Sequence, residues 1–375
     1  MKQLETRTWA EINLNHLEEN YRALRALLPD GCRFLGVVKA DAYGHGAVPV
    51  ARRLEQLGAE YLAVACLDEA LELRRAGIRT PILILGYTPA SCASELLAND
   101  LTQTVYDEQT AQALSEAATA AGKRLLVHVK ADTGMSRLGW LCTEQEREHT
   151  ADTMAAVCAL PGLDVEGIYT HFANADGDEA YTMLQFTRFL DLLAALEERG
   201  IHFRIRHCAA SAAVLNYPCT YLDMVRPGVA LYGHYPDPSC MGLEGLQLKP
   251  VMTLKTRVAS VKMVPAGTAV SYGCTHVLER ETKLAALTIG YADGLPRVCS
   301  DRLEVLIHGR RVPVVGRICM DMCMADVTGL EVYPGDEVEV FGGGLPVEEA
   351  AELAGTIQYE LLCSVSPRVH REYLG

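Results

Sequence analysis

Several features that mark other classes of protein are missing from this sequence of 375 residues. No apolar stretch reaches the roughly 20 residues that span a bilayer, although the mean hydropathy is +0.08. The first residues lack the apolar segment and small-residue cleavage site of a secretory signal, so we expect a cytoplasmic protein. No basic block occurs and the net charge is −14. This balance argues against nucleic acid and anionic membrane as partners.

Cysteine is plentiful, with 13 residues, but the spacings that would give it a structural role are absent. No Cys-x-x-Cys pair with a matching second pair occurs, so structural zinc is not expected. The number of cysteines is odd, and many lie in apolar runs, including Cys66, Cys158 and Cys363. The sequence therefore predicts reduced thiols that fill the core rather than a disulfide framework.

The first two thirds of the chain alternate between short apolar runs and amphipathic stretches rich in Ala, Leu and Glu. The eight runs are Arg33–Lys39, Tyr61–Cys66, Pro81–Gly86, Leu101–Tyr106, Arg124–Lys130, Leu163–His171, Phe203–His207 and Met224–Leu231. Eight β/α alternations of this length predict an α/β fold, a parallel (β/α)8 barrel of the TIM type, over residues 10–238. An open doubly wound sheet is the alternative, but it seldom needs eight parallel strands.

After about residue 240, strand-like runs follow one another without a long helix between them. They are Met252–Met263, Lys283–Gly290, Leu303–Ile307, Val312–Val315, Met322–Val327 and Glu337–Phe341. With the Gly- and Pro-rich turns among them, they predict a mainly antiparallel β domain over residues 239–375, together with residues 1–9. The run Thr8–Asn13 stands outside the barrel rhythm and is expected to pair with this domain. A short helix is predicted at Val347–Ala354.

Lys39 closes the first apolar run and is followed at once by the glycine-punctuated segment Ala40–Gly46. Barrel folds place their chemistry at strand ends of this kind. A poorly solvated amine has a lowered pKa and can form a Schiff base with an aldehyde. A strand-end lysine that simply reaches solvent is the commoner case. The position of Lys39 alone therefore does not decide its role.

Further polar groups follow the later strands of the predicted barrel. They are Lys130 with Arg137, His171, Ser211 and Arg226. Any one buried histidine or arginine is usually a satisfied structural group, but a barrel brings all its strand ends above one mouth. Ser211 and the backbone after Gly228 predict an anion site, to which Tyr43 can add a hydroxyl. A phosphate-bearing aldehyde tied to an amine describes pyridoxal phosphate.

Together these segments resemble the alanine racemase family over nearly the whole chain, from Ala10 to Arg368. The shared motifs are Val37–Gly46, Lys130–Gly139, Thr170–Ala173, Arg226–Gly228, Gly290–Gly294, Gly316–Asp321 and Thr356–Tyr359. The resemblance implies a pyridoxal-phosphate barrel of fold type III followed by a β domain. It also implies a head-to-tail homodimer with shared active sites, a small amino acid as substrate, and interconversion of L- and D-alanine for peptidoglycan.

The resemblance further implies two catalytic bases. Lys39 would hold the cofactor as a Schiff base and act on one face of the substrate. Tyr272 would arrive from the other subunit and act on the opposite face, with His171 close to its hydroxyl. Arg226 would hydrogen-bond the pyridine nitrogen of the cofactor.

Other residues receive binding roles from the same resemblance. Those implied in cofactor binding are Lys39, Tyr43, Arg137, His171, Ser211, Arg226, Gly228, Val229 and Tyr359. Arg137 and the Met320 N–H would bind the substrate carboxylate. Residues implied at the substrate channel or behind the site are Lys130, Asp176, Tyr291, Arg297, Arg317, Cys319 and Asp321. In some family members the lysine matching Lys130 is carbamylated and steadies the arginine matching Arg137.

Three alternatives stay open. A serine or broad-specificity racemase on the same scaffold is the first, although dedicated serine racemases typically replace the tyrosine matching Tyr359. Related pyridoxal-phosphate decarboxylases also join a barrel to a β domain, but Tyr272 and Cys319–Asp321 fit racemases better. A non-enzymatic cofactor-binding protein would lack the β domain. One departure from the family is Ala210, where an asparagine usually precedes the serine, so an amide hydrogen bond near the cofactor is lost.

Overall fold

The computed structural model describes residues 6–243 and 245–375, which form two compact units. The barrel unit contains Glu18–Ala42 and Ala47–Leu248. The sheet unit contains the described residues up to Leu17, the short segment Tyr43–Gly46, and Lys249–Gly375. The predicted division placed residues 10–17 and 43–46 with the barrel. The first strand, β1 (Thr8–Asn13), belongs to the sheet unit and leads directly into helix α1 (Leu14–Arg25).

Eight parallel strands form a nearly closed barrel, which confirms the predicted fold class. In chain order they are β2 (Arg33–Val37), β3 (Tyr61–Val64), β4 (Ile82–Ile84), β5 (Leu101–Val105), β6 (Leu125–Asp132), β8 (Leu163–Tyr169), β9 (Ile205–His207) and β10 (Met224–Val225). The two-residue strand β7 (Trp140–Leu141) pairs with β6 and is not one of the eight. The pairing order is β10-β2-β3-β4-β5-β6-β8-β9. The gap from β9 to β10 is spanned by backbone hydrogen bonds from Asp223 to Arg206 and from Arg226 to Ala209.

Helices alternate with the barrel strands. They are α2 (Ala47–Leu57), α3 (Leu67–Arg75), α4 (Ala93–Ala98), α5 (Glu108–Ala120), α6 (Arg147–Cys158), α7 (Glu179–Glu198) and α8 (Ser211–Asn216). Two of them begin at aspartates whose side chains accept a backbone N–H of the first turn, Asp107 for α5 and Asp178 for α7. This satisfies one of the donors that a helix start leaves unpaired. No helix within residues 6–243 and 245–375 combines the length and apolar character needed to cross a bilayer.

The sheet unit is mainly antiparallel. Its further strands are β11 (Met252–Val264), β12 (Ala269–Val270), β13 (His276–Val277), β14 (Thr282–Leu287), β15 (Glu304–Ile307), β16 (Arg310–Val315), β17 (Cys323–Asp326), β18 (Glu337–Phe341) and β19 (His370–Leu374). Strands β14, β17, β16, β15, β18 and β11 pair in that order, and β11 also pairs with β14, so the six close into a ring. Helices α9 (Val347–Ala354) and α10 (Gln358–Ser364) precede β19.

The opening strand β1 pairs with the sheet unit, as the sequence predicted. It lies antiparallel to β11, with Trp9 opposite Lys255, and parallel to β19, with Trp9 opposite His370. This parallel pair is the exception in an otherwise antiparallel sheet. Trp9 and Ile12 are buried, so both neighbours of β1 are needed to keep its backbone and side chains away from water.

The thirteen cysteines are free thiols, but not all of them fill the core. Six are buried, namely Cys32, Cys142, Cys208, Cys240, Cys299 and Cys323. Cys158 is half-buried, whereas Cys66 and Cys363 are exposed, so the prediction of core thiols is wrong for these two. Cys66 occupies the residue just before α3, where the chain leaves the barrel strand, and Cys363 lies on α10.

Candidate active site

Lys39 lies at the start of an unusual turn that follows β2. Ala40, Asp41 and Ala42 have φ of 53°, in the left-handed region that costs a non-glycine residue roughly 1–2 kcal/mol each. The turn is held by side chains of the barrel unit. Ala40 N donates to Glu69 Oε1 at 2.7 Å and Ala47 N donates to Asp41 Oδ1 at 2.7 Å. Strain of this kind is typical of functional sites, and here it immediately follows the lysine.

Several cationic side chains of the barrel unit influence one another. Burial, followed by the charges of Arg137, Arg226 and Lys39, lowers the pKa of Lys130 to about 8, against an opposing effect of Asp132. Burial and the same cations hold the pKa of His171 well below its ordinary value. His171 is therefore a neutral imidazole at neutral pH. Electrostatic interactions thus connect five of the predicted residues, namely Lys39, Lys130, Arg137, His171 and Arg226.

Arg137 is presented by a loop that one carboxylate organises. Asp132, at the end of β6, accepts backbone N–H groups of Gly134, Met135 and Ser136 on Oδ1 at 2.9–3.0 Å. Its Oδ2 accepts the backbone N–H of Arg137 at 3.1 Å. Asp132 is buried, whereas the Arg137 side chain is exposed. The loop thus fixes the backbone of Arg137 and leaves its guanidinium accessible.

Arg226 is buried, and its guanidinium donates hydrogen bonds to four acceptors. Nη1 donates to His207 Nδ1 at 2.8 Å, and Nη2 donates to the carbonyls of Thr170 and Cys208 and to His171 Nδ1 at 3.1 Å. A guanidinium can only donate, so Nδ1 of His171 is an acceptor. Since His171 is neutral, its proton is on Nε2, where it is available to a second partner.

Ser211 and the segment after β10 come together as the sequence predicted. Ser211 is the first residue of α8, and its Oγ accepts the backbone N–H groups of Gly228 at 2.9 Å and Ala230 at 3.3 Å. Val229 begins a short 3-10 turn, Val229–Tyr232. The Ser211 hydroxyl still has its own proton to donate. Gly228 N–H, by contrast, donates to Ser211 here.

In the sheet unit, Tyr43 and Tyr359 lie close together. Their ring centroids are 6.2 Å apart, and Tyr359 is on α10. Burial raises the pKa of Tyr43, and Tyr359 and Cys363 raise it further, so its hydroxyl is protonated and can donate. Gly44, at φ 80°, permits the close passage of this segment, because a Cβ there would be 2.3 Å from the carbonyl oxygen of Leu362. The two predicted phosphate tyrosines therefore share one surface of this unit.

Tyr272 lies on a strained and exposed turn. Its side chain is 70% exposed, and Ser271, Gly273 and Cys274 around it all have positive φ. Ser271 Oγ donates to the Arg317 carbonyl at 2.6 Å and lies 3.2 Å from Cys319 Sγ. A Cβ on Gly273 would be 2.8 Å from Arg317 Nη1. Arg317 and Cys319 thus support the turn that presents Tyr272.

Four further predicted residues of the sheet unit are Tyr291, Arg297, Met320 and Asp321. Tyr291 N donates to the Cys319 carbonyl and Ala292 N to the Met320 carbonyl, each at 3.0 Å. Within the described residues, the Met320 N–H donates no hydrogen bond. Asp321 forms an ion pair with Arg368 at 2.7 Å. Tyr291 and Arg297 are exposed.

One predicted residue of the barrel unit stands apart from the cationic group. Asp176 is half-buried, and its carbonyl accepts a hydrogen bond from Ser239 at 2.8 Å. Sequence reasoning missed three supporting residues, Glu69, Asp132 and His207. Asp132 was inside a quoted motif, so its position at a strand end was a usable signal. Glu69 and His207 become visible only through their hydrogen bonds.

The barrel unit suits pyridoxal phosphate. Lys39 supplies a primary amine for the aldehyde at a strand end, and the Ser211 hydroxyl supplies a donor for a phosphate. Arg226 supplies a guanidinium that is always charged. The surplus of cations around Lys130 favours a group that is itself anionic. Fold and site together define a pyridoxal-phosphate enzyme built on a (β/α)8 barrel.

Comparison with known proteins agrees with this class. Residues 12–236 match the alanine racemase N-terminal domain family and residues 251–373 match the alanine racemase C-terminal domain family. A relative named alanine racemase from Desulforamulus reducens is 51% identical, over 98% of this chain and 99% of its own. Another from Desulfovibrio desulfuricans is 48% identical over 98% of both chains.

Solved structures give the same result. An alanine racemase from Clostridium difficile 630 superposes with a TM-score of 0.93 at 41% identity, covering 99% of this chain and 97% of that one. An alanine racemase from Bacillus anthracis with bound L-Ala-P gives a TM-score of 0.93 at 35% identity, covering 100% and 96%. The chain belongs to the alanine racemase family, and it is a pyridoxal-phosphate-dependent racemase.

Proposed function

We propose that this protein interconverts L- and D-alanine by moving the α-proton between Lys39 and Tyr272, and that it supplies D-alanine for peptidoglycan. The observation that most supports this is the barrel unit's cationic group. Lys39 ends a buried strand, and its charge acts together with those of Lys130, Arg137 and Arg226 on His171. Such a group binds an anionic cofactor and substrate while leaving an amine available for proton transfer.

Each end of the cofactor would have its own set of protein groups. Lys39 would bond to its aldehyde, and Ser211, Gly228 and Val229 would hold its phosphate, with Tyr43 and Tyr359 predicted to contribute hydroxyls. Once bound, pyridoxal phosphate acidifies the α-proton of an attached amino acid, because its ring withdraws electrons. Arg226 would face the ring nitrogen, and its permanent charge disfavours a proton there. That limits competing transamination.

Racemisation needs a base on one face of the α-carbon and an acid on the other. Lys39 would serve one face. Tyr272 would serve the other from a second copy of the chain in a head-to-tail homodimer, which its exposed and strained turn supports. A tyrosine hydroxyl with an ordinary pKa of about 10 is a weak base. The Nε2–H of His171 is the kind of donor that would stabilise the tyrosine after it has lost its proton.

The substrate carboxylate would bind to Arg137 and to the Met320 N–H. The Asp132 loop fixes the Arg137 backbone and leaves its side chain accessible. A planar guanidinium binds a carboxylate through two parallel hydrogen bonds. The carboxylate would thereby be fixed, and the α-hydrogen of either enantiomer would be directed to one of the two bases.

Substrate choice is tested by a racemase assay. The purified protein with added pyridoxal phosphate should racemise L-alanine and D-alanine, with kcat/KM for L-alanine well above that for L-serine. A clear preference for serine would contradict the alanine assignment. Release of CO₂ from ornithine, lysine or diaminopimelate would point to a decarboxylase instead.

The two-base assignment is tested by substitution. Lys39→Ala should abolish the visible absorbance of bound cofactor, whereas Tyr272→Phe should keep it and slow exchange of the α-hydrogen with solvent far more for one enantiomer. Lys123→Ala and Tyr333→Phe are matched controls, since Lys123 is exposed in the barrel unit and Tyr333 is 61% exposed in the sheet unit. Equal slowing for both enantiomers in Tyr272→Phe would contradict the two-base assignment.

A cytoplasmic location remains a prediction. It is supported by the free cysteines at exposed positions such as Cys66 and Cys363, because exposed thiols stay reduced in a reducing compartment. Fractionation of the producing cells with detection of the protein by antibody tests it. Recovery in the extracellular or periplasmic fraction would contradict it.

A further inference from the structure

A line of hydrogen-bonded side chains runs through the barrel unit from Arg226 to Glu166. Arg226 Nη1 lies 2.8 Å from His207 Nδ1, His207 Nε2 lies 2.9 Å from His128 Nδ1, and His128 Nε2 lies 3.3 Å from Glu166 Oε2. The Tyr61 hydroxyl donates to the same Glu166 oxygen. The residues come from four barrel strands, β3, β6, β8 and β9, and from the segment just after β10.

The direction of every bond in this line is fixed by the guanidinium at one end. Arg226 can only donate, so His207 Nδ1 accepts and its proton is on Nε2. His207 Nε2 then donates to His128 Nδ1, and His128 Nε2–H donates to Glu166. Burial lowers the pKa of His128, and burial together with Arg226 holds that of His207 well below its ordinary value. Both imidazoles are therefore neutral and in the same tautomer.

The backbone is shaped to allow this line. Val127 pairs with Val165 and His128 pairs with Gly167, so Glu166 is an extra residue on β8, as in a β-bulge. A bulge redirects a side chain that regular alternation would place elsewhere. A Cβ on Gly167 would lie 2.7–2.9 Å from three atoms of the His128 ring. Glycine is thus required at 167 for the imidazole to occupy this place.

Charge explains why the line ends in a carboxylate. Arg226, His128 and His207 are buried, with exposed fractions of 3%, 0% and 0%. Within the described residues no carboxylate contacts Arg226 directly. Burial raises the pKa of Glu166, but the hydrogen bonds from His128 and Tyr61 outweigh it and lower that pKa. A buried charge without a partner is costly. A chain of polarised hydrogen bonds allows a distant carboxylate to act as that partner.

We propose that Glu166 is a positioning residue for Arg226: through His128 and His207, its negative charge orients and stabilises the buried guanidinium that would face the cofactor ring. This inference rests on the proposed role of Arg226. Glu166 touches neither cofactor nor substrate in this assignment. Tyr61 holds the carboxylate in place, and the imidazoles transmit its charge without titrating.

The first test uses the ligand-free protein and needs no activity. With ¹⁵N-labelled histidine, His128 and His207 should both show the neutral Nε2–H tautomer. Glu166→Gln keeps the shape and removes the charge, and should shift both pairs of imidazole resonances and speed exchange of the His128 Nε2 proton. Glu166→Asp should restore part of the wild-type pattern. The control is Glu197→Gln, whose carboxylate is 3.8 Å from His202 on the exposed surface.

The second test uses the protein loaded with pyridoxal phosphate. Glu166→Gln should lower kcat about tenfold, as expected for loss of a charge-assisted hydrogen bond, with a smaller change in KM and a shifted absorbance maximum of the cofactor. Glu197→Gln should change none of these. Arg204→Gln removes the exposed neighbour that lies 3.8 Å from Glu166, and should also leave the absorbance unchanged.

The outcomes separate this inference from the proposed function. Unchanged His207 resonances and an unchanged cofactor spectrum in Glu166→Gln would overturn the positioning role, even if the variant were less stable. An effect of Arg204→Gln equal to that of Glu166→Gln would overturn it as well, since a surface ion pair would then suffice. Altered resonances in a protein that racemises no amino acid would support the inference and contradict the proposed function.

Discussion

Lys130 is a lysine whose positive charge is opposed by its surroundings. It is 5% exposed, and burial, Arg137, Arg226 and Lys39 together bring its pKa to about 8. About a tenth of the amine is then unprotonated near pH 7, compared with far less for an ordinary lysine. An unprotonated amine is the form that reacts with CO₂, so the carbamylation implied by the family resemblance is chemically favoured, and it stays a prediction.

The lowered pKa of Lys130 makes the stability of the protein depend on pH. Between about pH 8 and 10.5 the unfolded chain binds a proton at this position that the folded chain does not, so the free energy of unfolding rises with pH across that window. The full effect is on the order of 3 kcal/mol. Lys130→Met should be more stable than the wild type at pH 7, and its advantage should disappear towards pH 10.5.

Denaturant unfolding at several pH values in CO₂-free buffer measures this difference. Lys123→Met is the control, because Lys123 is exposed in the same unit and should give a pH-independent difference. A Lys130→Met difference that does not change between pH 8 and 10.5 would contradict the lowered pKa.

At the scale of elements, the loop after β6 depends on one aspartate. Asp132→Asn retains an oxygen for Gly134, Met135 and Ser136 but turns an amide donor towards the Arg137 N–H. Loss of that bond should destabilise the protein by roughly 1–3 kcal/mol. Because Arg137 would then be less well placed, KM for alanine should rise about tenfold, with the cofactor absorbance unchanged.

Steady-state kinetics and thermal unfolding measure the Asp132→Asn effect. Asp107→Asn is the matched control, since Asp107 starts α5 by accepting the Thr110 N–H and asparagine caps a helix equally well. An unchanged KM with lowered stability would show that the loop serves folding alone.

Strands could be predicted from the sequence where burial on both faces makes their residues uniformly apolar. The barrel strands are buried on both faces and read as continuous apolar runs, so Arg33–Lys39 and Leu101–Tyr106 were located within two residues of β2 and β5. The left-handed turn Ala40–Tyr43 was not predictable, because alanine and tyrosine, which fill three of its four positions, rarely adopt positive φ. The extra residue Glu166 in β8 depends on its register with β6, which only the folded sheet shows.

At the scale of the whole molecule, the two units were predicted by the change from alternating strands and helices to successive strands. Which short segments of the chain belong to which unit could not be predicted. The sheet unit includes Tyr43–Gly46 from the middle of the barrel sequence, and Arg371 Nε donates to the Gly44 carbonyl there at 3.1 Å. The site residues were reachable through motifs. The supporting residues Glu69, His128 and His207 were not, since they contact those motifs only in three dimensions.

The proposed sharing of active sites in a homodimer predicts a specific complementation. Lys39→Ala and Tyr272→Ala should each be inactive, but a mixture in which subunits exchange should recover roughly a quarter of wild-type activity. Half of the dimers would then be mixed, and each would contain one intact site of two. Mixing by denaturation and refolding, followed by the racemase assay, measures this. No recovery, although mixed dimers are detected by mass spectrometry, would contradict the sharing of sites.

The position of β1 has a consequence for how the protein is made. During translation, Thr8–Asn13 is synthesised long before both of its neighbours, β11 and β19. At a synthesis rate of about 5–20 residues per second, the apolar side chains of Trp9 and Ile12 remain without these two neighbouring strands for tens of seconds. Nascent chains of this protein should therefore depend on chaperones that cover this hydrophobic segment until β11 and β19 have been synthesised.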